Sequence, residues 1–148
     1  MSVTDGFETE VDLPLGIYEG LAGFRLAMRR FLAFSEAALA DAQVTSQQYQ
    51  AMLVVKTGPA GRIRIRELAE QMLMPHNGAV QLVDRLSAAG FVERTPSERD
   101  KRSVLVSLTV KGEQVLQKLA RIHVGGMLAN EPLLADSLAR LRNLALLT

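Results

Sequence analysis

From Ala79 to Leu86 the apolar residues Ala79, Leu82, Val83 and Leu86 fall at i, i+3, i+4 and i+7. That period places all four on one stripe of a helix. Asn77, Gln81, Asp84 and Ala88 take the opposite face, with Arg85 beside it, so this face holds no large apolar group. Gly90 follows the last turn, where glycine most readily adopts the left-handed conformation that ends a helix. The period then changes to two. FVERT and SVLVSL are β-prone, and Val104, Val106 and Leu108 alternate with Ser103 and Ser107 as in a half-buried strand. Between them lies the polar run PSERDKR, with Arg99, Lys101 and Arg102 close together.

The flanks are helical in pattern. Residues 1–12 are polar and acidic and read as a frayed tail. Pro14 suits a first turn. From Leu15 to about Ala40 a long helix carries Leu21, Phe24, Met28, Phe31 and Ser35 at helical spacing, with Ile17 and Leu32 widening the stripe. Thr45 with Gln48 three residues on is a capping box. It opens a helix through Met52, Leu53 and Val55 that Gly58 and Pro59 close. GRIRI, residues 61–65, alternates Arg with Ile as a short strand. Ile65, Leu68, Ala69 and Met72 form a brief amphipathic helix, and Pro75 places His76, Asn77 and Gly78 at the start of the next. Thr109 caps a helix holding Val115, Leu116, Leu119, Ile122 and His123. Gly125 and Gly126 interrupt it, for a close helix contact or a break. Pro132 begins a last helix with Leu134, Leu138, Leu141 and Ala145 on one stripe and Leu144 and Leu147 beside it. A small central core cannot cover both terminal stripes. Two copies of the chain could bury them against each other.

A helix with one free polar face, followed by a hairpin with a cationic tip, is the layout of a winged helix. The expected fold is mostly α with a small β-hairpin wing. A winged helix-turn-helix over 45–112 is flanked by an N-terminal tail and dimerisation helix (1–44) and C-terminal dimerisation helices (113–148). The helix suits a major groove and the tip a neighbouring minor groove. On the helix, His76, Asn77, Gly78, Val80, Gln81 and Arg85 are the candidate DNA contacts. His76, Asn77 and Gln81 can reach base edges, and Arg85, further along, a phosphate. In the wing the candidates are Arg94, Arg99, Asp100, Lys101 and Arg102. Asp100 is an odd residue beside phosphates unless it holds the Arg102 side chain or the amides of the turn. The candidate dimer residues are Ile17, Leu21, Phe24, Leu134, Leu138, Leu141 and Ala145.

The string LVDRLSAAGFVER, a tip ending DKR, then VLVSLT and Gly112, resembles the multiple-antibiotic-resistance-regulator (MarR) family of bacterial winged-helix repressors. The family pattern is LVDRLxxxGLVxR, a D-x-R in the wing and a closing L-T-x-x-G. Here these are Leu82 to Leu86, Gly90, Arg94, Asp100, Arg102, Leu108, Thr109 and Gly112. The likeness covers about the middle half of the chain; the flanks agree in kind only. It departs at two helix starts, where the family has Ser or Thr and this chain has Arg64 and the run PHNG. The resemblance implies a homodimeric regulator of transcription, most often a repressor, on a near-palindromic duplex, released by a small-molecule effector.

Composition trims this picture. No apolar run approaches the ~18 residues of a membrane span, and the first twenty residues hold Asp5, Glu8, Glu10 and Asp12 but no basic residue, the wrong charge for a secretion signal. A cytoplasmic protein without a membrane partner is expected. The chain has no cysteine, which removes thiol-based oxidant sensing and cysteine metal sites. Net charge is only +1, so bulk charge announces no nucleic acid, but Arg62, Arg64, Arg66, Arg85, Arg94, Arg99, Lys101 and Arg102 crowd the middle. The two histidines, His76 and His123, are too few for a metal site. His76 contacts DNA or caps its helix, and His123 lies in the dimer helix region or lines a pocket. Met28, Met52, Met72, Met74 and Met127 are core filler. No nucleophile elbow, P-loop, dinucleotide turn or HExxH is present, so neither an enzyme nor a cofactor is expected. The competing reading is a winged helix that binds protein instead of DNA, which would keep its partner after loss of the wing arginines.

Overall fold

A computed structural model describes residues 12–100 and 102–145. Among them are six α-helices: α1 (Leu15–Ala42), α2 (Ser46–Lys56), α3 (Ile65–Gln71), α4 (His76–Ala88), α5 (Val110–Ala129) and α6 (Glu131–Ala145). Three strands, β1 (Arg62–Arg64), β2 (Val92–Pro96) and β3 (Val104–Leu108), form one antiparallel sheet in the order β1-β3-β2. The acidic tail, apart from Asp12, and Lys101 and Leu147 lie outside the described residues, as does the side chain of Ala145.

The chain divides into two compact units. One, residues 34–125, is the winged helix. It is wider than the 45–112 expected, because Leu39 near the end of α1 and Leu116 and Leu119 in α5 belong to its buried core. The centre of that core is Met52, Val55, Ile63, Leu68, Leu82, Val83, Leu86 and Val106. The Thr45 capping box forms as expected: Thr45 Oγ1 accepts from the Gln48 amide at 3.1 Å, and Gln48 Oε1 accepts from the Thr45 amide at 2.9 Å. The stripe of α4 is fully inside, and Gly90, at φ +80°, turns the chain from α4 toward β2. The strand expected over GRIRI is shorter: Arg62, Ile63 and Arg64 pair with Ser107, Val106 and Leu105, while Ile65 already begins α3.

His123 is buried in this unit. Its ring stacks on Tyr49, with centroids 4.3 Å apart. A carbonyl can only accept, so His123 Nδ1 donates to Leu119 O at 2.7 Å, and Nε2 lies 2.8 Å from Ser35 Oγ. Burial pushes the Tyr49 phenol above its usual pKa.

The other unit comprises 12–33 and 126–145 among the described residues. Here α1 and α6 approach closely at small residues. A Cβ on Gly20 would lie 2.9 Å from Ser137 O, and one on Gly23 2.3 Å from Ser137 Oγ. Ser137 is buried and returns its hydroxyl to Leu133 O at 2.7 Å. Arg140 reaches Asp136 at 3.0 Å and Glu19 at 3.6 Å. Helix α5 does not break at Gly125 and Gly126. Two glycines cost a helix about 2 kcal/mol against alanine, and the helix nonetheless runs on to Ala129. Asn130 Nδ2 donates to Gly126 O at 3.0 Å and ends the helix four residues later.

Candidate nucleic-acid interface

The interface is built from α4, the wing and the junction of β1 with α3. Helix α4 presents His76, Asn77, Gln81, Asp84 and Arg85 to solvent, and Gly78 and Val80 are half-buried at its edge. Its N-cap is Pro75, which supplies no side-chain bond. Asn77 Oδ1 accepts from the Gly78 amide at 3.0 Å.

The wing stands on a braced root. Arg94 Nη2 donates to Asp84 Oδ1 at 2.5 Å, tying β2 to α4. Both partners are exposed enough to water that the pair adds under about 1 kcal/mol of stability. It links the root of the wing directly to the polar face of α4. At the far side of the root, Thr109 Oγ1 donates to Gly90 O at 2.5 Å and accepts from the Gly112 amide at 3.0 Å. A Cβ on Gly112 would lie 2.0 Å from Phe91 O, so only glycine fits. Lys111 Nζ donates to Ala89 O at 2.9 Å, on the last turn of α4.

The tip is shaped by Asp100. Its Oδ1 accepts from the Arg102 amide at 3.0 Å, its Oδ2 accepts from Ser103 Oγ at 3.2 Å, and its carbonyl accepts from the Ser103 amide at 2.9 Å. Of the two tasks expected of Asp100, the structure shows the tip amide. Arg99 and Arg102 are exposed at this tip.

Between the tip and the starts of α3 and α4 lies a cleft of about 360 Å³. It gathers Arg64, Arg66, His76, Arg102 and Asp100. Thus the structure brings His76 to the wing arginine, while Gln81 and Arg85 lie further along α4. Arg64 and Arg66 were counted in the basic stretch but not placed at the interface. Their signal was the cationic alternation in GRIRIR, which alone does not say where a strand ends or what it faces.

The residues expected to join two copies lie in the other unit. Leu21 and Leu138 are exposed, Phe24, Leu134 and Leu141 half-buried, and Ile17 buried within the unit itself. Tyr18, Met28, Leu32, Met127 and Leu128 are further large apolar groups exposed there.

No helix among the described residues is long and apolar enough to cross a membrane. No three His, Asp or Glu side chains among them cluster as a metal site would need.

A model of the MarR family matches residues 42–103. MarR of Escherichia coli, the multiple antibiotic resistance protein, is 31% identical over 109 residues, 72% of this chain and 74% of that protein. The uncharacterised HTH-type transcriptional regulator YfiV of Bacillus subtilis is 37% identical over 59 residues, 40% of this chain and only 37% of that protein. Among solved structures, an E. coli MarR variant complexed with operator DNA superposes with a TM-score of 0.68 at 24% identity, over 91% of this chain and 96% of that one.

Proposed function

We propose that this chain, which belongs to the MarR family of transcriptional regulators, is a cytoplasmic homodimeric repressor that binds a near-palindromic duplex and is released by a small-molecule effector. The family is one of regulators, not enzymes. The observation that carries the reading is the free polar face of α4 set beside a cationic wing, the two linked by the Asp84–Arg94 pair. Asn77 and Gln81 face the base edges of a major groove, with His76 at the helix start. Arg85 meets a phosphate, and Arg102 enters or borders the adjacent minor groove, where arginine finds the enhanced negative potential of narrow A·T-rich DNA.

Two copies are needed for the symmetry. Leu21 and Leu138, with Phe24, Leu134 and Leu141 partly covered beside them, would lose their water on pairing. Ile17 supports that face from beneath. A two-fold dimer presents two α4 helices to successive major grooves, about 34–36 Å apart. An effector that favours a dimer with another helix separation lowers operator affinity by its differential binding to the two states. The E. coli relative complexed with operator DNA supports the reading by analogy of fold.

The test is selection of bound duplexes from a random pool with the full chain. A two-fold symmetric motif is expected. An enriched motif with no symmetry rejects the dimer reading, and no enrichment at all favours the protein-binding alternative.

A further inference from the structure

We infer that Arg64 and Arg66, at the junction of β1 and α3, form a phosphate-binding site that grips the backbone of one DNA strand, a contact additional to those of the α4 face and the wing tip. This rests on the DNA-binding reading above. The first observation is the cleft itself. Three arginines, Arg64, Arg66 and Arg102, line it together with His76. The one acid there, Asp100, already accepts from the Arg102 amide and the Ser103 hydroxyl. Among the described residues no ion pair engages any of the three arginines, although Lys56, Arg94 and Arg140 all have acidic partners. Like charges gathered around a cleft repel one another and focus a positive potential that a polyanion relieves.

The second observation is what Arg64 does not do. It occupies the N-cap position of α3, with the extended backbone of a cap (φ −78°, ψ 148°), yet makes no capping bond. The same chain caps α2 with Thr45 and α5 with Thr109, each bonding the third amide of its helix, while α4, like α3, has no side-chain cap. A serine or threonine would stabilise α3 at this position. The chain places there a long cation, held by the pairing of Arg64 with Leu105 in β3. A cation at this position adds no cap to α3 but does add positive charge to the cleft. The spacing also argues for a backbone. Arg64 and Arg66 line the cleft together with His76 from the start of α4 and Arg102 from the wing, so a chain of phosphates passing from the groove of α4 to the wing would meet them on the way. Phosphodiester backbone and free phosphate share this chemistry, and we assign the site to the backbone.

The experiment measures duplex affinity against salt for the full chain and three variants, using the selected site and a scrambled duplex. Arg64→Ser is expected to bind both duplexes about tenfold more weakly at low salt and to flatten the slope of log affinity against log salt by about 0.9. The same variant is expected to melt a few degrees higher, because serine caps α3. Arg64→Lys keeps the slope of the wild type. Arg66→Gln, which leaves the cap position alone, also loses about 0.9 of slope. A slope unchanged in both Arg64→Ser and Arg66→Gln overturns the inference, as does a loss confined to the selected site. Replacing chloride by inorganic phosphate at constant ionic strength is expected to leave binding unchanged; release at millimolar phosphate would make this a free-phosphate site and overturn the backbone assignment. If the wild type binds neither duplex, the DNA-binding reading fails first, and the two failures are thereby told apart.

Discussion

Asn77 and Gln81 carry the same carboxamide on the same face of α4, but they are not equivalent as donors and acceptors. A bidentate contact with adenine needs one donor and one acceptor. The Oδ1 of Asn77 already accepts from the Gly78 amide, which leaves it one acceptor site and ties the carboxamide to the helix start, while its Nδ2 makes no bond among the described residues. Gln81 makes no such bond among the described residues and can offer both groups. Gln81→Ala should relax preference at one symmetric pair of base positions by roughly 1–3 kcal/mol, and Asn77→Ala at a different pair. A selected motif that Gln81→Ala leaves untouched would show that this face does not read bases. At the wing tip two effects oppose. Asp100→Ala removes an acid near phosphate, a gain of a few tenths of a kcal/mol for an exposed charge. It also frees the Arg102 amide and the Ser103 hydroxyl, and disordering one long side chain costs roughly 0.5–1.5 kcal/mol. The second is larger, so Asp100→Ala should weaken binding although it makes the protein more positive. Arg102→Ala should weaken it more, and the double variant should lose less than the sum, because the acid acts through the arginine. Affinities of the four proteins at one salt concentration decide this; tighter binding by Asp100→Ala, or simple additivity, would rule the coupling out.

At the scale of elements, the motif strings of the sequence become contacts. In LVDRL and FVER, the Asp and the Arg are one ion pair between Asp84 and Arg94. In L-T-x-x-G, Thr109 joins Gly90 to the first turn of α5, and Gly112 lets that turn pass over Phe91 O. Gly112→Ala should therefore lower stability by about 3 kcal/mol, the upper end for overpacking, which is roughly a 10 °C drop in Tm. A melt within two degrees of the wild type would mean the approach relaxes without cost. The apolar stripe of α4, the capping box of α2 and the turn at Gly90 could be read from sequence because each is local: the partners lie within one or two turns. The Asp84–Arg94 pair could not, since it forms only after β2 folds back along α4. The end of β1 was misplaced for a similar reason. Arg–Ile alternation continues through Ile65, but the ladder partners stop at Leu105, and Ile65 goes into α3. Gly125 and Gly126 misled because a glycine pair lowers helix propensity without deciding against packing. The cleft of Arg64, Arg66, His76 and Arg102 joins four elements and has no linear signature.

For the whole molecule, the question is how many copies act together. The exposed apolar residues of the terminal unit, Leu21 and Leu138 among them, are more than a lone soluble unit needs. Leu21→Glu combined with Leu138→Glu should shift the protein from dimer to monomer in sedimentation and weaken operator binding at least 100-fold. The winged-helix unit, with its own buried core, should keep its fold by circular dichroism. A monomer that binds the operator as tightly as the wild type would remove the dimer from the account. The most direct single measurement is a hydroxyl-radical footprint of the full chain on its selected duplex. Two α4 helices with two wings should protect two sets of backbone positions, related by a two-fold axis and centred about one helical turn, roughly 10 base pairs, apart, with flanking minor-groove protection lost in Arg102→Ala. A single protected patch, or protection that Arg102→Ala leaves intact, would contradict the claim that this chain reads DNA as a symmetric pair of winged helices.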